Sequence, residues 1–225
     1  MSICLIGLVA IVHPKLGQAD ELRPRSGSPY VQITGDDAED ERTRWDTIFN
    51  TATYVFGTEP FPFLKENIHL LPVGKALDLA SSEGRNSVFL AKRGFQVTGV
   101  DYSDVALTKA RRLAHANHVS IKTVNADLTD YTIKPESYDV ILNIDFPQRG
   151  LITQIKRGLR HGGMVVYVGY TEDQTKNEAG KSISHREKFF KKGELKELFK
   201  DFKVLVYKET NDGNDAYANL IAKKP

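Results

Sequence analysis

From Trp45 onward the apolar positions alternate between two spacings. Short runs rich in branched residues stand at 75–80 (KALDLA), 95–100 (FQVTGV), 119–126 (VSIKTVNA), 138–144 (YDVILNI) and 164–170 (MVVYVGY), and each reads as a strand. Helical spacing fills the intervals. It covers 84–93 with Val88, Phe89 and Leu90, then 103–117, which opens on Ser103 as an N-cap and keeps Val105, Ala106, Ala110, Leu113 and Ala114 on one face. It returns at 148–160 and at 192–201, the latter with Leu195, Leu198 and Phe199, while His161-Gly162-Gly163 reads as a turn. Strand and helix in alternation predict an α/β fold: a doubly wound, mostly parallel sheet with helices on both faces and right-handed crossovers. The end breaks the rhythm. FKVLVYKE (202–209) and AYANLIAKK (216–224) are separated by TNDGND alone, too short for a helix, so they pair as a hairpin and the last strand runs antiparallel.

The 225 residues suit one domain with a substantial core, which we bound at 43–225. Ahead of it, 20–42 is polar and rich in turn formers and reads as a linker. Residues 1–19 carry an apolar stretch from Ile3 to Val12, then Pro14, Gly17 and Ala19, which resembles a secretory h-region with a cleavage site near Ala19. No Lys or Arg precedes that stretch, and it is too short to span a membrane. A net charge of +2 with scattered basic residues calls for no nucleic-acid partner. The single cysteine, Cys4, and six histidines without ligand spacing point to neither a disulfide nor a metal site.

The candidate chemistry lies in ALDLASSEGRN (76–86), where a strand ends in an acid, a turn of small residues follows, and a helix begins. The nicotinamide fingerprint G-x-G-x-x-G fails at every glycine, because Ala80, Ser82 and Arg85 occupy those positions. The arrangement acid-x-G-x-G-x-G is filled as Asp78, Ala80, Ser82 and Gly84, with one glycine in register. That suits a cofactor without phosphates, S-adenosylmethionine, whose ammonium would meet Asp78 and whose carboxylate would meet the loop amides. Asp101, at the end of the second strand and 23 residues after Asp78, would hold the ribose hydroxyls. Asp127 in NADL ends the third strand and can accept from the adenine amino group. Any one such acid is commonplace in turns and caps; three at consecutive strand ends point to a site.

These stretches resemble the class I S-adenosylmethionine-dependent methyltransferases, in particular the tellurite-resistance and thiopurine-methyltransferase-like branch. The likeness is carried by WDTIFN (45–50), FGTEPFPFL (56–64), LDLASSEGRNSVFLAKRGFQVTGVDYS (77–103), FPQRGLITQIKRGLRHGGMVVY (146–167) and FFKKGELKELFKDFKVLVYKE (189–209). The family's usual loop is DLGCGEGRN, so Ala80 and Ser82 depart from it, each costing on the order of 1 kcal/mol if the backbone there has positive φ. The resemblance implies a seven-stranded sheet with an antiparallel last strand, S-adenosylmethionine as cofactor, and a cofactor site of Asp78, Ala80, Ser82, Gly84, Arg85, Asn86, Asp101, Tyr102, Asp127, Leu128 and Asn143. It also implies that the N-terminal segment closes over that site. Trp45, Phe49, Tyr54, Phe56 and Glu59 would then line the acceptor pocket, or else belong to an amphipathic helix packed on the sheet.

Methyl transfer is an in-line displacement, so the protein chiefly supplies alignment, with a base where the acceptor must lose a proton. Asp145 at the end of the fourth strand can orient an amine or act as that base; it can equally be a helix N-terminal acid. Arg149 matches the family's Gln-Arg pair and either holds an anionic acceptor or forms a surface ion pair. Tyr170 and His185-Arg186 flank the long polar loop after the fifth strand, a candidate lid. The TNDGND hairpin has no basic residue for an anion, and the expected acceptor is a small molecule. The alternatives are a non-catalytic binding protein with a degenerate loop, and a nicotinamide-dependent oxidoreductase, which the glycine register and the hairpin disfavour. Supply of S-adenosylmethionine favours the cytoplasm; export after cleavage near Ala19 is the other reading. Oligomeric state is not legible.

Overall fold

The structure, a computed structural model, describes residues 38–177 and 188–225. The signal-like segment 1–19, most of the 20–42 stretch, and His185 and Arg186 lie outside the described residues. Helix α1 (Ala38–Phe49) begins within the stretch read as linker, and α2 (Pro62–Asn67) follows with Pro62 in its first turn. Then come β1 (Lys75–Leu79), α3 (Arg85–Ala91), β2 (Gln96–Asp101), α4 (Asp104–Ala116), β3 (Lys122–Asn125) and β4 (Tyr138–Ile144). The chain continues through α5 (Leu151–Gly158), β5 (Leu159–Tyr170), α6 (Glu194–Leu198), β6 (Lys203–Asn211) and β7 (Ala216–Lys223).

The seven strands form one sheet in the order β3-β2-β1-β4-β5-β7-β6. β1 to β5 pair in parallel, and β7 inserts antiparallel between β5 and β6. Side-chain alternation along each strand supplies both faces. Leu77, Leu79, Ile141 and Tyr167 pack with Leu151 and Ile155 of α5 and Phe199 beyond α6. Ala76, Leu142 and Val168 pack with Phe63 and Leu64 of α2 and Phe89 and Leu90 of α3. The order reverses between β1 and β4, so their carboxyl ends open the crevice in which ligands of such sheets bind. No helix among the described residues is long and apolar enough to cross a membrane.

Two expected boundaries are corrected. The helix expected over 148–160 stops at Gly158, and β5 starts at once, already pairing Leu159 with Tyr138. His161-Gly162-Gly163 is therefore an irregularity within a long strand and not a turn before it. Glycine at 163 relieves crowding: a Cβ there would stand 3.0 Å from the Arg160 carbonyl and 3.2 Å from those of Tyr138 and Asp139.

Candidate functional site

The loop after β1 takes positive φ at three alternate residues: Ala80 and Ser82 at 52° and Gly84 at 85°. The first two values fall in the narrow left-handed well open to L-residues, and the third lies beyond it. A Cβ on Gly84 would also come within 2.7 Å of the Ala110 Cβ on α4. This explains why the loop dispenses with two glycines and keeps the third: the backbone shape is intact, and only Gly84 combines an extreme φ with a close approach.

Buried acids hold the loop. Asp78 accepts from the Ser87 hydroxyl at 2.7 Å, and burial pushes its pKa up to about 7. Asp101 accepts from the Ser82 amide at 2.8 Å and the Ser103 amide at 2.9 Å, and burial raises it to about 6. Asp127 closes a turn by accepting from the Thr129 amide and hydroxyl, both at 2.8 Å. The three acids thus stand at three neighbouring strand ends. Tyr102, half-buried beside Asp101, is overlain by the Arg42 guanidinium, and Leu128 is buried in the core below Asp127.

At the other side of the crevice Asn143, opposite Leu79 in the register, is fully buried. Its amide nitrogen and oxygen, like the Ser82 hydroxyl, are closed off from solvent with no hydrogen-bond partner among the described residues. Each such group costs about 1–3 kcal/mol unless something meets it. A hydroxyl, a carboxamide and carboxylates around one crevice are the donors and acceptors that an amino-acid tail and a nucleoside require. The residues present fit S-adenosylmethionine.

The segment between α1 and α2 straps across this loop. Lys109 of α4 and Glu83 of the loop form a buried ion pair, 8% and 2% exposed. Lys109 also donates to the carbonyls of Phe49 at 3.1 Å and Thr53 at 2.6 Å, while Glu83 accepts from the Phe56 amide at 3.2 Å. Asn86 accepts from the Phe61 amide at 2.8 Å, so its side chain holds the strap. Arg85 donates to the Phe56 carbonyl at 3.1 Å and lies over the Phe56 and Phe61 rings. Trp45, Phe49 and Phe56 form an aromatic row behind it.

Other expected positions fall elsewhere. Tyr54 packs on Val88 and Leu113 and donates to the Lys109 carbonyl, away from the crevice. Glu59 is 82% exposed and ion-paired with Lys65. Arg149 is the clearest displacement. It grips Glu194 through two bonds of 2.6 and 3.0 Å and donates to the carbonyls of Lys188 and Phe189. Its guanidinium clamps the segment before α6 and forms the ion pair that was one of its two expected roles.

Asp145 follows β4 at φ 62°, with one carboxyl oxygen closed off from solvent, and burial lifts its pKa to about 6. The Arg85 charge pulls it down. Tyr170 is fully buried, stacked on Tyr217 and tilted against Phe189. Sequence reasoning missed Tyr217, Asp215, Glu83 and Lys109. For Lys109 a signal existed: it lies three residues after Ala106 and four before Leu113, on the apolar face of its helix. A groove of about 930 Å³ with Lys75, Lys122, Lys134 and Arg160 in its wall opens at the opposite, amino-terminal ends of the strands and is remote from these acids.

Residues 76–163 match the methyltransferase domain family. The probable S-adenosyl-L-methionine-dependent methyltransferase TehB of Haemophilus influenzae is 26% identical over 143 residues, 60% of this chain and 48% of its own length. A 23S rRNA (uracil(747)-C(5))-methyltransferase of Pyrococcus horikoshii is 28% identical over 155 residues, 67% of this chain and 37% of its own. The chain thus spans less than half the length of either. Among solved structures, TehB from H. influenzae superposes with a TM-score of 0.63 at 22% identity, covering 82% of this chain and 67% of that one. The N-methyltransferase NodS from Bradyrhizobium japonicum, in complex with S-adenosyl-L-homocysteine, gives 0.62 at 13% identity, covering 82% and 98%. Both share the fold, and TehB agrees with the branch that the sequence resembles. Residues 76–163 thus carry a methyltransferase domain, and the chain around them has the fold of TehB and NodS.

Proposed function

We propose that this protein transfers a methyl group from S-adenosylmethionine to a small, neutral or cationic acceptor that gives up a proton to Asp145. The observation that carries this reading is the charge at the carboxyl edge of the sheet. Among the described residues Asp78, Asp101, Asp127, Asp145 and Asp215 gather there beside Arg85, which is engaged with the strap. A polyanion needs cations along its path, so such a rim favours an amine-like acceptor over RNA or a small anion. Asp78 would meet the cofactor's ammonium, Asp101 the ribose hydroxyls and Asp127 the adenine amino group, with Ser82 and Asn143 satisfied by the amino-acid tail. The donor supplies an activated methyl group; the protein aligns the acceptor, excludes water beneath the strap and takes the proton.

Thermal unfolding with S-adenosylmethionine, S-adenosylhomocysteine or NADH tests the cofactor. Saturation at a hundred times Kd adds about 2.7 kcal/mol, roughly 5–10 °C for a domain of this size. A shift with the adenosyl compounds alone is expected; no shift would return the chain to a binding-dead relative. Release of S-adenosylhomocysteine over a panel of amines, thiols, anions and RNA then tests the acceptor, and turnover confined to RNA would overturn the small-molecule reading. We place the enzyme in the cytoplasm, where its donor is made; N-terminal sequencing from the native host that starts at Asp20 would contradict this.

A further inference from the structure

The groove at the amino-terminal ends of the strands has the opposite charge to the acidic carboxyl edge. It owes its shape to a gap in the winding. A helix usually joins two parallel strands and covers the sheet, but residues 126–137, which join β3 to β4, form none. The face of β2 and β3 on the side of α5 is therefore open at one end. Val100, Val124 and Leu128 fill that face toward the carboxyl ends. Two residues back along each strand the same face carries Thr98 and Lys122, with Gln96 beyond, so the floor of the groove is polar. Such a floor suits a charged ligand and not an apolar helix.

The wall is fixed in place. The Glu136 and Ser137 amides donate to the carbonyls of Arg157 and Gly158, both at 2.9 Å, and the Ile133 amide donates to Gln154 at 3.0 Å. Asp139 accepts from the Lys75 amide at 2.7 Å and from Arg160 Nη1 at 3.1 Å. Lys75, Lys122, Lys134 and Arg160 thus surround one cavity of about 930 Å³, with Glu136 as the acid among its lining residues. Among the described residues no carboxylate pairs with the ammonium groups of Lys75, Lys122 or Lys134, and Arg160 Nη2 has no partner. Like charges gathered this way repel one another until an anion joins them, and lysine binds phosphate as a point charge. The volume is that of a small-molecule site and far exceeds one phosphate ion. Lys75 on β1 and Lys122 on β3 start two strand spacings apart, roughly 10 Å, so the ligand carries more than one anionic group. Glu136 and Asp139 interrupt the cations toward β5, which favours a compact anion over an extended one.

We propose that this groove binds a small molecule bearing two or more phosphate groups, at the edge of the sheet opposite the candidate methyl-transfer site. The groove shares no residue with the carboxyl-edge site, so it stands whether or not that site transfers methyl groups.

Titration calorimetry of the full chain with tripolyphosphate should show one site, and backbone amide shifts in NMR should cluster at 96–98, 120–122 and 134–138. Lys122→Gln and Lys134→Gln each remove one exposed charge and should weaken binding about tenfold or more, as loss of a charged hydrogen bond does. Lys208→Gln, at an exposed position on β6 at the far edge of the sheet, should leave binding unchanged. Absence of binding, or losses that do not separate the two groove lysines from Lys208, would overturn the site. A single-stranded RNA that binds through Lys122 and Lys134 where tripolyphosphate does not would overturn the small-molecule ligand. The thermal shift with S-adenosylmethionine on the same samples should be equal in all three variants. Its loss in the wild type would sink the cofactor assignment while the titration still judged the groove.

Discussion

Replacing Ser82 by glycine should make the unliganded protein more stable and its cofactor binding weaker. Ser82 holds φ at 52° and buries a hydroxyl with no partner among the described residues. The left-handed conformation costs an L-residue about 1–2 kcal/mol, and the unmet hydroxyl about 1–3 kcal/mol. Glycine removes both but adds about 0.5–1 kcal/mol of chain entropy. A net gain of about 1–4 kcal/mol follows, or roughly 2–16 °C in midpoint for a chain of this length. The Ser82 amide keeps its bond to Asp101, so the loop keeps its shape. If the hydroxyl meets the cofactor's tail, that bond is lost, and the shift produced by a fixed concentration of S-adenosylmethionine shrinks. Gly84→Ala is the control of opposite sign. Its φ of 85° and a 2.7 Å approach to Ala110 combine strain with overpacking, each about 1–3 kcal/mol. The assay is thermal unfolding of the three proteins with and without S-adenosylmethionine. A Ser82→Gly protein less stable than wild type without ligand would refute the accounting. An undiminished ligand shift would remove Ser82 from the site.

Lys109→Met should strand the Glu83 carboxylate beneath the strap, at a cost of about 3–5 kcal/mol, seen as a lower denaturant midpoint and earlier proteolysis before Phe61; adding Glu83→Gln should restore part of it, and additive losses would refute the pairing. Arg149→Lys breaks a two-point grip on Glu194, so it should lose about 1–3 kcal/mol and speed hydrogen exchange at 188–194 while leaving the order of acceptor preference unchanged; an altered preference would restore its anion-holding role. Asp78, raised to about 7, and Asp101, raised to about 6, bind protons more tightly folded than unfolded. Stability of the unliganded chain should therefore fall as pH rises from about 4 to about 7. The ammonium of S-adenosylmethionine prefers the Asp78 carboxylate, so its stabilising shift should be larger at about pH 8 than at about pH 5.5; equal shifts at the two would detach the cofactor's ammonium from Asp78.

Much of the architecture was legible because it follows from repeating patterns. Apolar runs and helical spacing located every strand and most helices, and the short TNDGND link alone required the antiparallel end. The boundaries that failed did so for local reasons: Gly163 admits three carbonyls near its Cα, so β5 runs through what reads as a turn. The acids at the ends of β1, β2 and β3 were legible because position along an α/β sheet follows from strand order. Roles that depend on what a side chain meets were not. Arg149 reads equally as an acceptor ligand or an ion pair, and only the fold brings Glu194, 45 residues away, to its fork.

By itself the sequence determined the layers, the sheet's direction and which strand ends carry carboxylates, since periodicity and spacing are properties of the chain alone. The tertiary structure decided that Ala80 and Ser82 sit in the left-handed well, that Lys109 and Glu83 bury their charges together, and that Tyr217 falls opposite Tyr170. Those are consequences of register and close packing, which bring together residues that no local pattern relates.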